Sequence, residues 1–230
     1  MNCLDRPEAR TATEAITSRR SVRAFLPEPV PRATLRRILE IAGRAPSGSN
    51  IQPWHVDVVT GPALTRLTTA ITARFDAGDA GEDSYQYYPS PWREPYLARR
   101  RETGWGLYST LGIARGDTAR MRAQLRRNFL FFDAPVGLIF SIDRDLPIGS
   151  WLDTGMFLQS IMIAARGFGL DTCPQQAFAT YHQTIREVLA LPDDRTVICG
   201  MALGHADPSD PANRFETGRL GVEDYARFHD

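Results

Sequence analysis

Lysine is absent from the 230 residues, so all 27 cationic side chains are arginine. That gap excludes every mechanism needing an ε-amine from this chain: a pyridoxal Schiff base, a phosphate-loop lysine or a lysine nucleophile. Cysteine is scarce as well. Cys3, Cys173 and Cys199 are odd in number, far apart and without a C-x-x-C pair, which argues against a disulfide framework and for a reducing compartment. Cys173 has no histidine at a nucleophile's partner spacing, and small buried cysteines are common. His55, His182, His205 and His229 show neither H-x-x-x-H nor H-E-x-x-H spacing, so no metal is expected. A G-x-S-x-G elbow is missing too.

Long apolar runs and an excess of either charge are also missing. The most apolar stretch, Met156 to Ala165, is about half of the ~20 residues that a membrane span needs. Residues 1–25 contain no continuous apolar segment of the secretory kind. Positive and negative side chains balance at 27 each, leaving no net field to hold a polyanion. The expectation is a cytoplasmic chain with neither nucleic acid nor membrane as partner. A hydrophobic share of 43% and a charged share of 23% are ordinary globular values and argue against disorder.

The length suits a single domain over residues 1–230, with a lid-like insertion of different composition at about 78–118. Leu35, Ile38, Leu39 and Ala42 follow Pro31 at helical spacing, predicting a helix over 31–43. His55–Thr60 reads as a strand and 62–75 as a helix. The almost continuously apolar segments 135–143 and 196–204 read as strands buried on both faces. Ser150 with Asp153, and Thr180 with Gln183, form capping-box patterns that predict two more helix starts, the first helix being apolar nearly all round and stopped at Gly167/Gly169. Helices interleaved with a few strands make an α+β, three-layer arrangement.

Three segments bring together donors suited to a bound organic group. In SRRSVR (Ser18 to Arg23), three guanidiniums and a hydroxyl suit a phosphate or other oxyanion, or else form a solvated basic helix end. APSGSNIQPWH (Ala45 to His55) offers small residues, a possible nest of backbone N–H groups, and the amides of Asn50 and Gln52, or else is a plain helix-to-strand loop. GLDTCPQQAF (Gly169 to Phe178) fixes Pro174 ahead of two glutamines in what reads as a connection between helices. Donors without a nucleophile, metal cage or acid/base pair imply that a cofactor carries the chemistry.

SRRSVRAF, APSGSNIQPWHVDVVTG, DAPVGLIFSID, GLDTCPQQA and ALGHADPSDPANRFETGR, in that order over about Thr13 to Phe228, resemble the FMN-dependent nitroreductase family, most of all its branch acting on nitrobenzoates and nitrophenols. The resemblance implies a central, mostly antiparallel sheet flanked by helices, an intertwined homodimer, and FMN at the interface. It implies hydride transfer from NADH or NADPH through flavin N5 to a nitroaromatic acceptor in a ping-pong sequence, with no catalytic side chain. Carried over by position, Arg19, Arg20 and Ser21 hold the phosphate and ribityl chain, and Arg23 lies at the pyrimidine side. Pro46, Ser47, Gly48, Asn50 and Gln52 reach the flavin from the other subunit. Pro174, Gln175 and Gln176 lie beside the ring, and Arg219 binds the phosphate, with Arg214 as its competitor. Ala177 departs from a position that is often glycine in the family. The insertion's aromatics, from Tyr85 to Tyr108, cover the flavin or pack inward, and Arg93 or Arg99 to Arg101 attract a substrate carboxylate. Iodotyrosine deiodinase relatives share RRSVR and PSGSN. The alternatives are therefore reductive dehalogenation or quinone reduction on the same flavin, or non-catalytic binding of another phosphorylated ligand.

Overall fold

The computed structural model describes residues 6–229. Cys3 lies outside them. Four strands, β1 (His55–Thr60), β2 (Val136–Asp143), β3 (Asp171–Gln175) and β4 (Arg195–Gly204), form one fully antiparallel sheet in the spatial order β1-β2-β4-β3. Seven helices accompany it: α1 (Ala12–Ser18), α2 (Arg32–Ala42), α3 (Gly61–Asp76), α4 (Tyr96–Thr110), α5 (Thr118–Arg126), α6 (Ile148–Arg166) and α7 (His182–Leu189). The α+β, three-layer architecture read from the sequence is the one observed.

Each sheet face has its own core. Val59, Ile139, Val197 and Ala202 pack against α3, α7 and a phenylalanine-rich turn. Leu138, Phe140, Met201 and Leu203 pack on the other side against α2 and α6. Strand β2 is buried on both faces for that reason, as the almost continuously apolar run 135–143 leads one to expect. Two glycines let the phenylalanine-rich turn close on the sheet. A Cβ at Gly137 would meet Phe131 at 2.6 Å and one at Gly200 would meet Phe178 at 2.5 Å; the two phenyl rings stack 4.2 Å apart between centroids.

Three readings of the sequence change. The segment expected to be a plain connection is the edge strand β3, which tolerates Pro174 because it ladders with β4 alone and its outer side is bridged only at Thr172. Helix α6 begins at Ile148 behind Pro147, so Ser150 and Asp153 sit inside it instead of capping it. Helix α7 has no side-chain cap either: the Thr180 hydroxyl donates to the Ala177 carbonyl at 2.8 Å, and the Gln183 amide donates to Glu82 at 2.7 Å. Helix α6 leaves Ile148 86% and Leu152 70% exposed on one side.

Among the described residues no helix is long and apolar enough to cross a membrane, and no cluster of His, Cys, Asp or Glu is placed to hold a metal.

Candidate functional site

The Thr11/Glu14 capping box starts α1, and the chain leaves it at Arg19 in an extended conformation. Residues 19–25 then run along the outer edge of β3. Ser21 forms a parallel bridge with Thr172, and the Val22 amide donates to the Thr172 carbonyl at 3.1 Å. Val22 and Ala24 turn into the core, so the alternation of an extended chain leaves Arg19, Ser21 and Arg23 facing outward. They open onto a groove of about 1620 Å³ that Arg20, Pro174 and Arg219 also line. Residues nearly two hundred positions apart thus share one electropositive wall.

Asn213 closes this wall, although nothing in its sequence context singles it out. Its buried amide accepts from the Arg23 backbone N–H at 2.8 Å and donates to the carbonyls of Ala24 and Asp207, both at 2.8 Å. The only local hint is Asp210-Pro211, where the Asp210 carboxylate caps the Ala212 N–H and forms the turn that aims Asn213 inward. A second unforeseen element is a buried Arg–Asp–Arg cluster, of which Arg6 and Arg166 line the groove and Asp171 sits behind them. The Asp171 carboxylate accepts from Arg6 and lies 3.5 Å from Arg166. Arg6 also donates to the Ser18 carbonyl at 2.9 Å, and Arg166 to the Ser18 hydroxyl at 3.2 Å. The cluster therefore fixes the residue from which the arginine strip departs.

The groove's charge shows in its ionisation. Burial, and then repulsion from Arg219, lowers the Arg19 pKa below its ordinary value. Arg20 pairs with Glu216 at 2.8 Å, and Arg219 donates to the Thr217 hydroxyl at 2.6 Å. Arg214 does not line the groove. Cys173, near Arg19 and Arg23, is pushed up to about 11 by burial, and Cys199 to about 12, so neither sulfur is a ready nucleophile.

The other sequence-derived residues stand apart from the groove within one chain. Pro46, Gly48, Asn50 and Gln52 are exposed and Ser47 partly so. Ser49, Asn50 and Gln52 all have positive φ, at 49°, 59° and 50°. Left-handed backbone at non-glycine residues is costly and tends to be kept at functional sites. Two contacts maintain it: the Asp153 carboxylate accepts the Gly48 N–H at 3.1 Å, and the Ser47 hydroxyl accepts the Gln52 N–H at 3.0 Å. Asp153, misread as a cap, is thus the anchor of this loop. Gln175 turns inward and donates to the Asn128 carbonyl at 2.7 Å, so its side chain does not face the groove. Gln176 reaches the hydroxyl of Tyr85 instead.

The insertion's aromatics are partly packed inward and partly exposed. Tyr85 packs inward, donating to the Ile198 carbonyl at the β4 bulge and meeting Trp151 edge-on at 4.6 Å. Tyr87, Tyr88 and Tyr96 remain exposed. Helix α4 lies directly on the C-terminal turn, where a Cβ at Gly106 would meet Phe215, a groove residue, at 2.4 Å.

Clustered guanidiniums beside an antiparallel sheet edge, with buried thiols and a strained donor loop, define a protein built to hold a phosphate-bearing cofactor. A model of the nitroreductase family matches residues 16–205. The chain is 42% identical over 223 residues to the chloronitrobenzene nitroreductase of Comamonas testosteroni, covering 96% of this chain and 98% of that one. It is 40% identical over 216 residues to the 4-nitrobenzoate reductase of Nocardioides sp. (strain LMS-CY), covering 93% and 87%. The crystal structure of an FMN and NADPH-dependent nitroreductase from Sphigopyxis sp. strain HMH superposes with a TM-score of 0.93 at 42% identity, covering 96% of this chain and 99% of that one. This chain belongs to the nitroreductase family.

Proposed function

We propose that this chain is an FMN-dependent oxidoreductase that uses NAD(P)H to reduce nitroaromatic compounds and works as a homodimer. One observation carries the reading. Arg19, Arg20, Ser21, Arg23 and Arg219 converge on a single groove, and the mutual repulsion of Arg19 and Arg219 leaves it in need of an anion, which a terminal phosphate monoester supplies. FMN, when bound, supplies the hydride acceptor and donor that the side chains lack. Arg19, Arg20 and Arg219 hold its phosphate, Ser21 its ribityl chain, and Arg23 places positive charge at the pyrimidine side of the ring. Pro174 and Gln176 flank the ring. With the Gln175 side chain committed to Asn128, only that residue's backbone is left for the cofactor.

The loop Pro46, Ser47, Gly48, Asn50 and Gln52 does not line its own chain's groove, so the reading gives it to the groove of a second copy. Support comes from the open side of α6, where Ile148 and Leu152 are unburied, and from the exposed C-terminal apolar residues Leu220, Val222, Tyr225 and Phe228. Apolar surface of this extent is usual where another chain docks. The domain is single, with residues 78–118 as a lid.

The protein as isolated is expected to be yellow, dimeric by light scattering, and to consume NADPH or NADH with nitrobenzene. Arg19→Ala is expected to lose FMN. A colourless protein, or full flavin content in Arg19→Ala, refutes the assignment. Halide release without nitro reduction places the activity with the dehalogenating relatives.

A further inference from the structure

Segment 78–118 gathers five arginines, Arg93, Arg99, Arg100, Arg101 and Arg115, and among the described residues none of them forms an ion pair or a side-chain hydrogen bond. The nearby Glu94 is spent on the Ala98 backbone N–H at 3.1 Å. Four of the five lie on aromatic faces instead. The guanidinium carbons of Arg93 and Arg99 are 4.9 and 5.8 Å from the centre of Tyr96, Arg100 is 4.8 Å from that of Trp92, and Arg115 is 4.8 Å from that of Trp105. A stacked guanidinium keeps its in-plane N–H donors free, so these arginines are positioned but unused.

The patch connects to the cofactor site. From Trp92 a run of ring contacts passes through Tyr88 at 5.2 Å, Tyr87 at 4.7 Å and Tyr85 at 6.4 Å, and ends on Trp151 at 4.6 Å. Its inner end is tied to the sheet by the Tyr85–Ile198 hydrogen bond and touches Gln176. The ladder thus runs from a residue assigned beside the flavin ring to an exposed, arginine-bearing rim.

We infer that this rim is the binding site for the adenosine 2′-phosphate of NADPH, and that it makes the enzyme prefer NADPH to NADH. The inference rests on the flavin reading above. Arg93, Arg99 and Arg100 grip the phosphate, held in place by the Trp92 and Tyr96 rings on which they lie. A phosphate monoester carries nearly two negative charges and three acceptor oxygens, which matches several unpaired forks. A substrate carboxylate, with one charge and two oxygens, is satisfied by a single arginine. The chain has no separate Rossmann unit to read the ribose, so the discrimination has to come from surface of this kind.

The test uses the flavin-loaded enzyme with nitrobenzene as acceptor and either nicotinamide varied. In the double variant Arg99→Ala/Arg100→Ala, KM for NADPH is expected to rise on the order of tenfold or more, the loss expected for hydrogen bonds to a charged group, while kcat and the NADH constants stay within about twofold. Adenosine 2′,5′-bisphosphate is expected to compete with NADPH on the wild type far better than 5′-AMP does, and to lose that advantage in the variant. Equal changes for both nicotinamides, no change for either, or a loss confined to 4-nitrobenzoate with nitrobenzene unaffected would overturn the inference. A wild type without FMN overturns the flavin reading and this one with it. A yellow wild type that oxidises both nicotinamides with equal KM overturns this one alone.

Discussion

Replacing Asp171 by asparagine removes one negative charge from between two guanidiniums and leaves the shape of the side chain almost unchanged. Asp171 is 1% exposed, its partners Arg6 and Arg166 are 12% and 3% exposed, and no other carboxylate pairs with either arginine among the described residues. Breaking a buried pair from one side strands the remaining charge and typically costs about 3–5 kcal/mol. Arg6 keeps some access to water, and an amide oxygen still accepts a hydrogen bond, so about 3 kcal/mol is the expected loss. With a urea slope near ~3 kcal/mol/M, the upper end for small proteins, the midpoint should fall by about 1 M. Urea titration followed by tryptophan fluorescence, at fixed protein concentration and saturating FMN, reads this directly. Both arginines also hold Ser18, so FMN affinity should fall together with the midpoint. A midpoint within about 0.3 M of wild type, near the error of such extrapolations, would show that the cluster does not secure the strip.

Gly200→Ala forces a Cβ to 2.5 Å from the Phe178 ring and should cost about 1–3 kcal/mol, seen as a lowered Tm, whereas Gly149→Ala, with open space around it, should not. Asp57 has its carboxyl pKa raised, mainly by burial, so the folded state holds the proton more tightly than the unfolded state does. Stability from this group is therefore lost as pH rises through that interval. Asp57→Asn should raise the urea midpoint at pH 7, with the gain shrinking as pH falls through the folded pKa and gone below the ordinary aspartate value; a gain independent of pH refutes the cause. In a Cys3→Ser background, Cys173 and Cys199 should both stay unreactive to a thiol reagent at pH 8 until urea unfolds the chain, and prompt modification of either contradicts their burial.

Local pattern disclosed the buried strands well. The segments 135–143 and 196–204 are almost continuously apolar because both faces of β2 and β4 are covered, and that signal lies within each segment. Strand β3 was illegible because Asp-Thr-Cys-Pro-Gln has an acid and a proline, each explained only by its place at the sheet edge: Asp171 neutralises arginines from two other elements, and Pro174 faces no further strand. The capping patterns misled for a related reason. Asp153 has the right spacing for a cap, but Pro147 starts the helix a turn earlier, and the carboxylate is used across space on Gly48. Arg19, Arg20, Arg23 and Arg219 were legible from local pattern as donors, and as neighbours only through the family resemblance. Asn213, which brings their segments together, has no distinctive local signature.

The Arg23 N–H is bound by Asn213, and Arg219 comes later still in the chain, so the anion groove has no complete wall until residue 219 has been synthesised. While the ribosomal exit tunnel still hides the closing residues, the nascent sheet can fold but its arginine strip stays open on that side. Completion of the groove is thereby a late event that waits on residues far along the chain from the strip that forms its other side.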